Sequence, residues 1–154
     1  MEFRELHDVD LTLMNKIVEI EEEAFEGNGN VDLWILKALI RYGKVFVLVE
    51  GDEIITIAEY MQVLGKDEVF LYGISTRKKY RNRGNARKIM EESEKYLKRL
   101  GYKEVGLTVD PNNNIAMKLY KDLGYRIEEY QEDEYGKGIH RYLMKKVIIQ
   151  YENT

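Results

Sequence analysis

An α/β domain of the α+β type, built on a mixed, mostly antiparallel sheet, is what this 154-residue sequence predicts. Three features carry that expectation. Apolar, β-rich runs separated by the short turns Gly51-Asp52 and Gly65-Lys66-Asp67 read as antiparallel hairpins. After Gly84 the apolar spacing changes to a helical period, closes at Gly101, and gives way to another strand. That strand-helix-strand unit implies a parallel pair near the middle of the sheet. The whole pattern gives about seven strands and about four helices in one domain over residues 1–150.

Taken in order, Phe3 and Glu5 flank a short alternating edge strand. Asp10 is placed to cap a helix whose apolar stripe is Leu13, Ile17, Ile20 and Ala24. Asp32 caps a second helix with Leu36, Leu39 and Ile40 inward, and Gly43 ends it. A loop covers residues 27–30. Strands follow at Lys44 to Val49, Ile54 to Val63 and Val69 to Thr76. The long helix from Gly84 carries Ala86, Ile89, Met90, Ser93, Leu97 and Leu100 on one stripe. Val105 to Val109 is a short strand. Pro111 and three asparagines form a loop before a helix marked by Ile115, Ala116, Leu119, Tyr120 and Leu123, ended by Gly124. Strands near Tyr125 to Tyr130 and Ile139 to Lys146 finish the pattern.

Composition narrows the function. Hydrophobic residues at 44% and charged residues at 34% suit a folded domain rather than a disordered chain. The absence of cysteine excludes a disulfide scaffold, a thiolate metal site and a cysteine nucleophile. With only His7 and His140 available, no metal site is expected. A net charge of −4 argues against sequence-blind nucleic-acid binding. No apolar run is long enough for a membrane helix, and MEFRELHDVD has no signal-peptide pattern, so a cytoplasmic protein is expected.

One segment breaks the acidic character. Six of the eleven residues from Arg77 to Arg87 are cationic, and the run opens a helix. First-turn N–H groups carry partial positive charge and point outward. Gly84 allows close main-chain approach, and Ala86 keeps the following turn small. These features describe an anion pocket suited to a diphosphate. A solvated basic patch explains the arginines but not the small residues two apart at a helix start. The segment is neither a nucleotide P-loop, which needs Gly-Lys-Ser/Thr, nor a dinucleotide Gly-x-Gly-x-x-Gly turn.

Arg81-Asn82-Arg83-Gly84-Asn85-Ala86 resembles the Arg/Gln-x-x-Gly-x-Gly/Ala signature of the GNAT N-acetyltransferase superfamily. A second block, Asn113 through Tyr125, is similar to that family's Asn-x-x-Ala-x-x-Leu-Tyr-x-x-x-Gly-Phe pattern, and the element order agrees along nearly the whole chain. The resemblance implies acetyl-CoA as co-substrate and a primary amine as acceptor, taken by direct attack. It assigns the pyrophosphate to N–H groups from Asn82 through Ala86 (Asn82, Arg83, Gly84, Asn85 and Ala86), with charge from the Arg81 and Arg83 side chains. Ile74 and Thr76 would offer backbone groups to the pantetheine arm, and the backbone near Ile74 would face the developing oxyanion. Asn113 would bond the pantetheine amides or position the last helix. Tyr120 would protonate the departing thiolate, although by spacing alone, on a stripe with Leu119 and Leu123, it reads rather as a core aromatic.

The general base is less determined. Glutamates that serve some members of the family correspond here to Phe70 and Thr108, so they do not carry over. Glu59, flanked by Ala58 and Tyr60, is the catalytic candidate because partial desolvation would raise its pKa; an alternating strand would instead turn it to solvent. Glu68, His140 and a relaying water are alternatives. The acidic stretches Glu21-Glu22-Glu23, Glu26, Asp32 and Glu128 to Glu134 suggest a rim that gathers a cationic acceptor, unless they are solvated surface. Trp34, Tyr42, Tyr60, Tyr72, Tyr130 and Tyr142 are candidate pocket aromatics. The expected partner is a small-molecule or peptide amine, with no nucleic acid and no membrane, acting on a monomer or homodimer. Two alternatives stay open: a protein N-terminal or lysine acetyltransferase, and a non-catalytic acetyl-CoA sensor. The paired hairpin tyrosines of the ribosomal-protein branch are replaced by Gln131 and Glu132.

Overall fold

The computed structural model describes residues 1–7, 10–25 and 31–149. The expected loop at 27–30 and the rim residue Glu26 lie outside them. In chain order the elements are β1 (Glu2–Leu6), α1 (Leu11–Phe25), α2 (Leu33–Tyr42), β2 (Lys44–Glu50), β3 (Glu53–Gln62), β4 (Glu68–Thr76), a 3₁₀ turn (Lys78–Tyr80), α3 (Asn85–Arg99), β5 (Glu104–Val109), α4 (Asn114–Asp122), β6 (Arg126–Gln131) and β7 (Arg141–Val147). The seven strands form one sheet in the order β1-β2-β3-β4-β5-β7-β6. The chain divides into two compact units, Met1–Gln62 with Tyr72–Ser93, and Val63–Leu71 with the chain from Glu94 onwards.

In the first unit, β1 to β3 are antiparallel. The helix caps form as the sequence predicts: Asp10 Oδ1 accepts the Leu13 N–H at 2.8 Å, and Asp32 Oδ1 accepts that of Ile35 at 2.9 Å. Ile17 and Ile20 of α1 and Leu36 and Leu39 of α2 bury against Val45, Val47 and Ile57. Each such side chain removed from water contributes about 1.5–3 kcal/mol. On the other sheet face Phe46 stacks on Phe3 at 5.1 Å and meets the Tyr60 ring edge-on at 5.8 Å. Both faces of β3 are thus covered, and residues 54 to 60 are all buried. Gly43 ends α2 for a reason other than the left-handed turn. Its φ is −107°, but a Cβ there would sit 2.3 Å from the Tyr60 carbonyl oxygen.

In the second unit the predicted parallel pair is present, with Glu68 to Leu71 of β4 registered on Glu104 to Leu107 of β5. β7 pairs antiparallel with both β5 and β6. The core includes Val69, Leu71, Leu97, Val105, Leu107, Met117, Tyr125 and Met144. Two expected core positions are corrected. Leu100 follows the last residue of α3 and is 52% exposed, and Ile115, in the first turn of α4, is 82% exposed. For Leu100 the helical spacing continues past the helix end in sequence but not in space, whereas Ile115 faces solvent from within the first turn.

Candidate active site

In the first unit, β4 ends at Thr76 and the basic segment follows. Tyr80 and the cations around it are organised by Glu53 of β3. Its carboxylate pairs with Arg77, accepts the Tyr80 hydroxyl at 2.7 Å and lies 3.0 Å from Lys79 Nζ. The Tyr80 bond and then Lys79 hold the Glu53 carboxyl below its usual pKa. Arg81 donates to the Thr76 carbonyl, and the Arg83 guanidinium lies over the Tyr80 ring at 5.6 Å. Arg77 and Lys79 are therefore committed within the protein, while the Arg81 and Arg83 side chains remain exposed.

The turn itself has the left-handed geometry that an amide-lined cradle needs. Asn82 has φ +62° and Gly84 has φ +76°. Asn85 is buried and donates its side-chain amide to the Tyr80 carbonyl at 3.0 Å, which fixes the start of α3. The helical ladder begins with Lys88 N–H donating to Gly84 O at 3.0 Å; ahead of it, the N–H groups of Asn82 through Ala86 donate to no carbonyl of the turn. A Cβ on Gly84 would meet nothing within 4 Å, so glycine is required by φ, and the space above it is open. Open amides, a positive helix end and two exposed guanidinium groups fit a diphosphate.

On the α1 side of the same unit sits a buried carboxyl pair. Glu59 of β3 is fully buried, which corrects the solvent-facing reading; alternation marks an exposed side only when one sheet face is wet. Neither Glu59 oxygen accepts a hydrogen bond. Burial, followed by the neighbouring Glu21 carboxyl, holds its pKa well above the usual carboxylate range. Glu21 of α1 is also fully buried, and its Oε2 accepts the Ser75 hydroxyl at 2.7 Å. Glu21 therefore does not belong to an exposed acidic rim. Its neighbour Glu23 accepts the Lys78 N–H at 2.8 Å and so anchors the start of the basic segment.

In the second unit, Asn113 caps α4, its Oδ1 accepting the Ala116 N–H at 3.1 Å. Of the two roles expected for it, positioning the helix is realised within the chain. Tyr120 is 7% exposed and its ring meets Tyr125 edge-on at 6.0 Å. Burial pushes its hydroxyl up to about 12, so the proton is held throughout the physiological range. His140 Nδ1 accepts the Asp133 N–H at 3.0 Å and shapes the β6–β7 hairpin. Among the candidate aromatics, Trp34 and Tyr42 are 86% and 82% exposed, whereas Tyr60 is fully buried.

Gly73 and Ser75 carry no signal in the sequence, and Glu21 reads there only as part of an acidic rim. A signal of its burial is present: Glu21 lies at i+4 from Ile17 and one residue past Ile20, on the buried stripe of α1. A charged residue in that register is the anomaly to notice.

A mixed sheet with the parallel β4–β5 pair and an open turn at the start of α3 is the architecture of the GNAT class. A family model described as "Acetyltransferase (GNAT) family" matches residues 14–125, and the chain belongs to that family. Over 77 residues it is 31% identical to GCN5-related N-acetyltransferase 4, chloroplastic, from Arabidopsis thaliana. That match takes in 46% of this chain and 26% of the relative's length, about a quarter. Among solved structures, the ribosomal-protein-S18-alanine N-acetyltransferase of Escherichia coli superposes with a TM-score of 0.80 at 21% identity, covering 99% of each chain. Aminoglycoside 6'-acetyltransferase type Ii gives 0.85 at 17% identity, covering 98% of this chain and 99% of that one. An aminoglycoside 6'-N-acetyltransferase complexed with coenzyme A gives 0.83 at 15% identity, covering 99% of this chain and 100% of that one. These likenesses establish the fold. Among the described residues, no helix is long and apolar enough to cross a membrane.

Proposed function

We propose that this chain, as one catalytic domain over residues 1–150, transfers the acetyl group of acetyl-CoA to a primary amine by direct attack. The observation that carries this reading is the Arg81–Ala86 turn, with Gly84 at positive φ and its amides open at the start of α3. In this reading the N–H groups of Asn82 through Ala86 hold the pyrophosphate, and the Arg81 and Arg83 side chains add charge. Main-chain groups at Ile74 and Thr76 hold the pantetheine arm, and Asn113 keeps α4 in place. Acetyl-CoA supplies the activated carbonyl. Glu59 takes the proton that the acceptor ammonium must lose, and Tyr120, which keeps its own proton at neutral pH, donates to the leaving thiolate.

A cationic acceptor suits the exposed carboxylates Glu128, Glu129 and Glu132 of β6 and the hairpin that follows it. Small polyamines, amino sugars and peptide amines share that chemistry. The test is thiol release from acetyl-CoA across an amine panel, run on wild type and Tyr120→Phe. Amine-dependent release that falls at least about tenfold in Tyr120→Phe supports the assignment. Acetyl-CoA binding with no release for any amine would make the domain a sensor instead.

A further inference from the structure

We propose that Glu21 and Glu59 act as one proton-accepting pair, in which Glu21 is a positioning residue for Glu59 and Gly73 is the gap through which the pair exchanges a proton with the acceptor amine. This inference rests on the acetyl-transfer reading and adds two residues to it.

Three independent observations meet at this point. Glu59 and Glu21 together carry three fully buried carboxyl oxygens without any hydrogen-bond partner: both of Glu59 and Oε1 of Glu21. A purely structural carboxylate at such depth is normally paired or well bonded, because its desolvation is otherwise uncompensated. The fourth oxygen, Glu21 Oε2, accepts the Ser75 hydroxyl at 2.7 Å, which ties Glu21 of α1 to the end of β4. Thirdly, the position a Cβ would take on Gly73 touches only Glu59: Oε2 at 2.9 Å and Cδ at 3.9 Å. Gly73 is itself half-buried, so the missing side chain leaves Glu59 covered on that side by backbone alone.

β2 presents Val45 in register with Glu59. β4 presents Gly73 and the Ser75 hydroxyl, and α1 presents Glu21. Among the described residues, Glu21 is the ionisable side chain that acts on Glu59. Two like charges in a dry site cannot both be ionised cheaply, so the pair takes up a proton readily. That is the property required of an acceptor for an ammonium proton near neutral pH.

The ionised pair takes one proton from R–NH₃⁺ and leaves R–NH₂. The nitrogen lone pair forms the C–N bond to the acetyl carbonyl, and the C–S bond breaks. The leaving thiolate takes a proton from Tyr120, which recovers it from the nitrogen as the amide forms. The products are R–NH–acetyl and the thiol, and the proton on the pair is released to water.

The experiment is the pH dependence of amine-dependent thiol release, with two acceptor amines of different basicity, on wild type, Glu21→Gln, Glu59→Gln and Gly73→Ala. A limb that follows the amine belongs to the substrate; a limb common to both amines belongs to the protein. In Glu21→Gln the common limb should move to lower pH by about one unit or more, because the like charge is gone. In Glu59→Gln it should vanish, with kcat reduced and KM for acetyl-CoA little changed. In Gly73→Ala, where a methyl meets Oε2, kcat should fall while acetyl-CoA affinity by calorimetry is kept. Infrared titration of the ligand-free protein gives a readout apart from activity: a protonated carboxyl band lost in Glu59→Gln and titrating at lower pH in Glu21→Gln. A common limb that stays put in Glu21→Gln, or a protein with no such band, overturns the pair while leaving acetyl transfer intact. Absence of turnover in wild type with every amine overturns the transfer reading, and the proton-accepting role falls with it.

Discussion

Arg81 donates its Nε–H to the main-chain carbonyl of Thr76 at 3.2 Å, tying the basic turn back to the end of β4. One side chain thus serves two purposes: it shapes the turn and keeps a guanidinium beside the open amides. Arg81→Ala should weaken acetyl-CoA binding by about 1–3 kcal/mol, the range for a charge-assisted hydrogen bond. Calorimetric titration measures it. Wild-type affinity in the variant would show that the guanidinium serves only the turn.

Gly84 separates a backbone requirement from a ligand requirement. At φ +76° with no neighbour within 4 Å, Gly84→Ala meets no clash and pays only the left-handed backbone penalty, about 1–2 kcal/mol. Gly84→Asp carries the same penalty and adds a carboxylate over the amide row. The expectation is two variants of similar Tm, of which only the aspartate loses acetyl-CoA binding altogether. Equal acetyl-CoA affinity in the two would remove the phosphates from this turn.

Glu94 predicts a stability effect in the second unit. Its buried carboxylate accepts the Tyr125 hydroxyl at 2.8 Å and the Lys146 ammonium at 2.7 Å. Glu94→Gln keeps the shape but leaves the ammonium without its counter-charge. A loss of about 2 kcal/mol is expected for a hydrogen bond to a charged group. For a chain of this size that lowers Tm by about 4–8 °C. A thermal melt unchanged within 1 °C or so would contradict it.

Much of this was legible from residue order, and the exceptions share a cause. The caps at Asp10 and Asp32 and the turn at Gly84 depend on neighbours within a few residues, which local pattern records, and the parallel junction follows from the strand-helix-strand order. Glu59 misleads because its environment comes from Val45 of β2, Gly73 of β4 and Glu21 of α1, none of them a near neighbour along the chain. Gly43 was read as a helix stop and does end α2, yet what demands glycine is the Tyr60 carbonyl, seventeen positions on. Arg77 and Lys79 belong to the basic run in the sequence, yet Glu53, at the start of β3, occupies them.

Glu59 should also leave a mark on stability that is independent of catalysis. Its pKa in the folded protein lies well above the ordinary carboxyl value, through burial first and Glu21 second. Between those two values the folded state binds more protons than the unfolded state. Unfolding free energy must then fall as pH rises through that window, by up to about 1.4 kcal/mol per pH unit. Below the unfolded value the carboxyl is protonated in both states, and the contribution is fully present. Glu53 and Glu68 have lowered values and act in the opposite sense, losing stability as pH falls. Subtracting the urea-denaturation profile of Glu59→Gln from that of wild type cancels them. The difference should slope downward from about pH 4.5 towards neutrality, with Glu59→Gln the more stable protein at its upper end. A flat difference would mean that Glu59 ionises as an ordinary surface carboxylate does, which its burial does not allow.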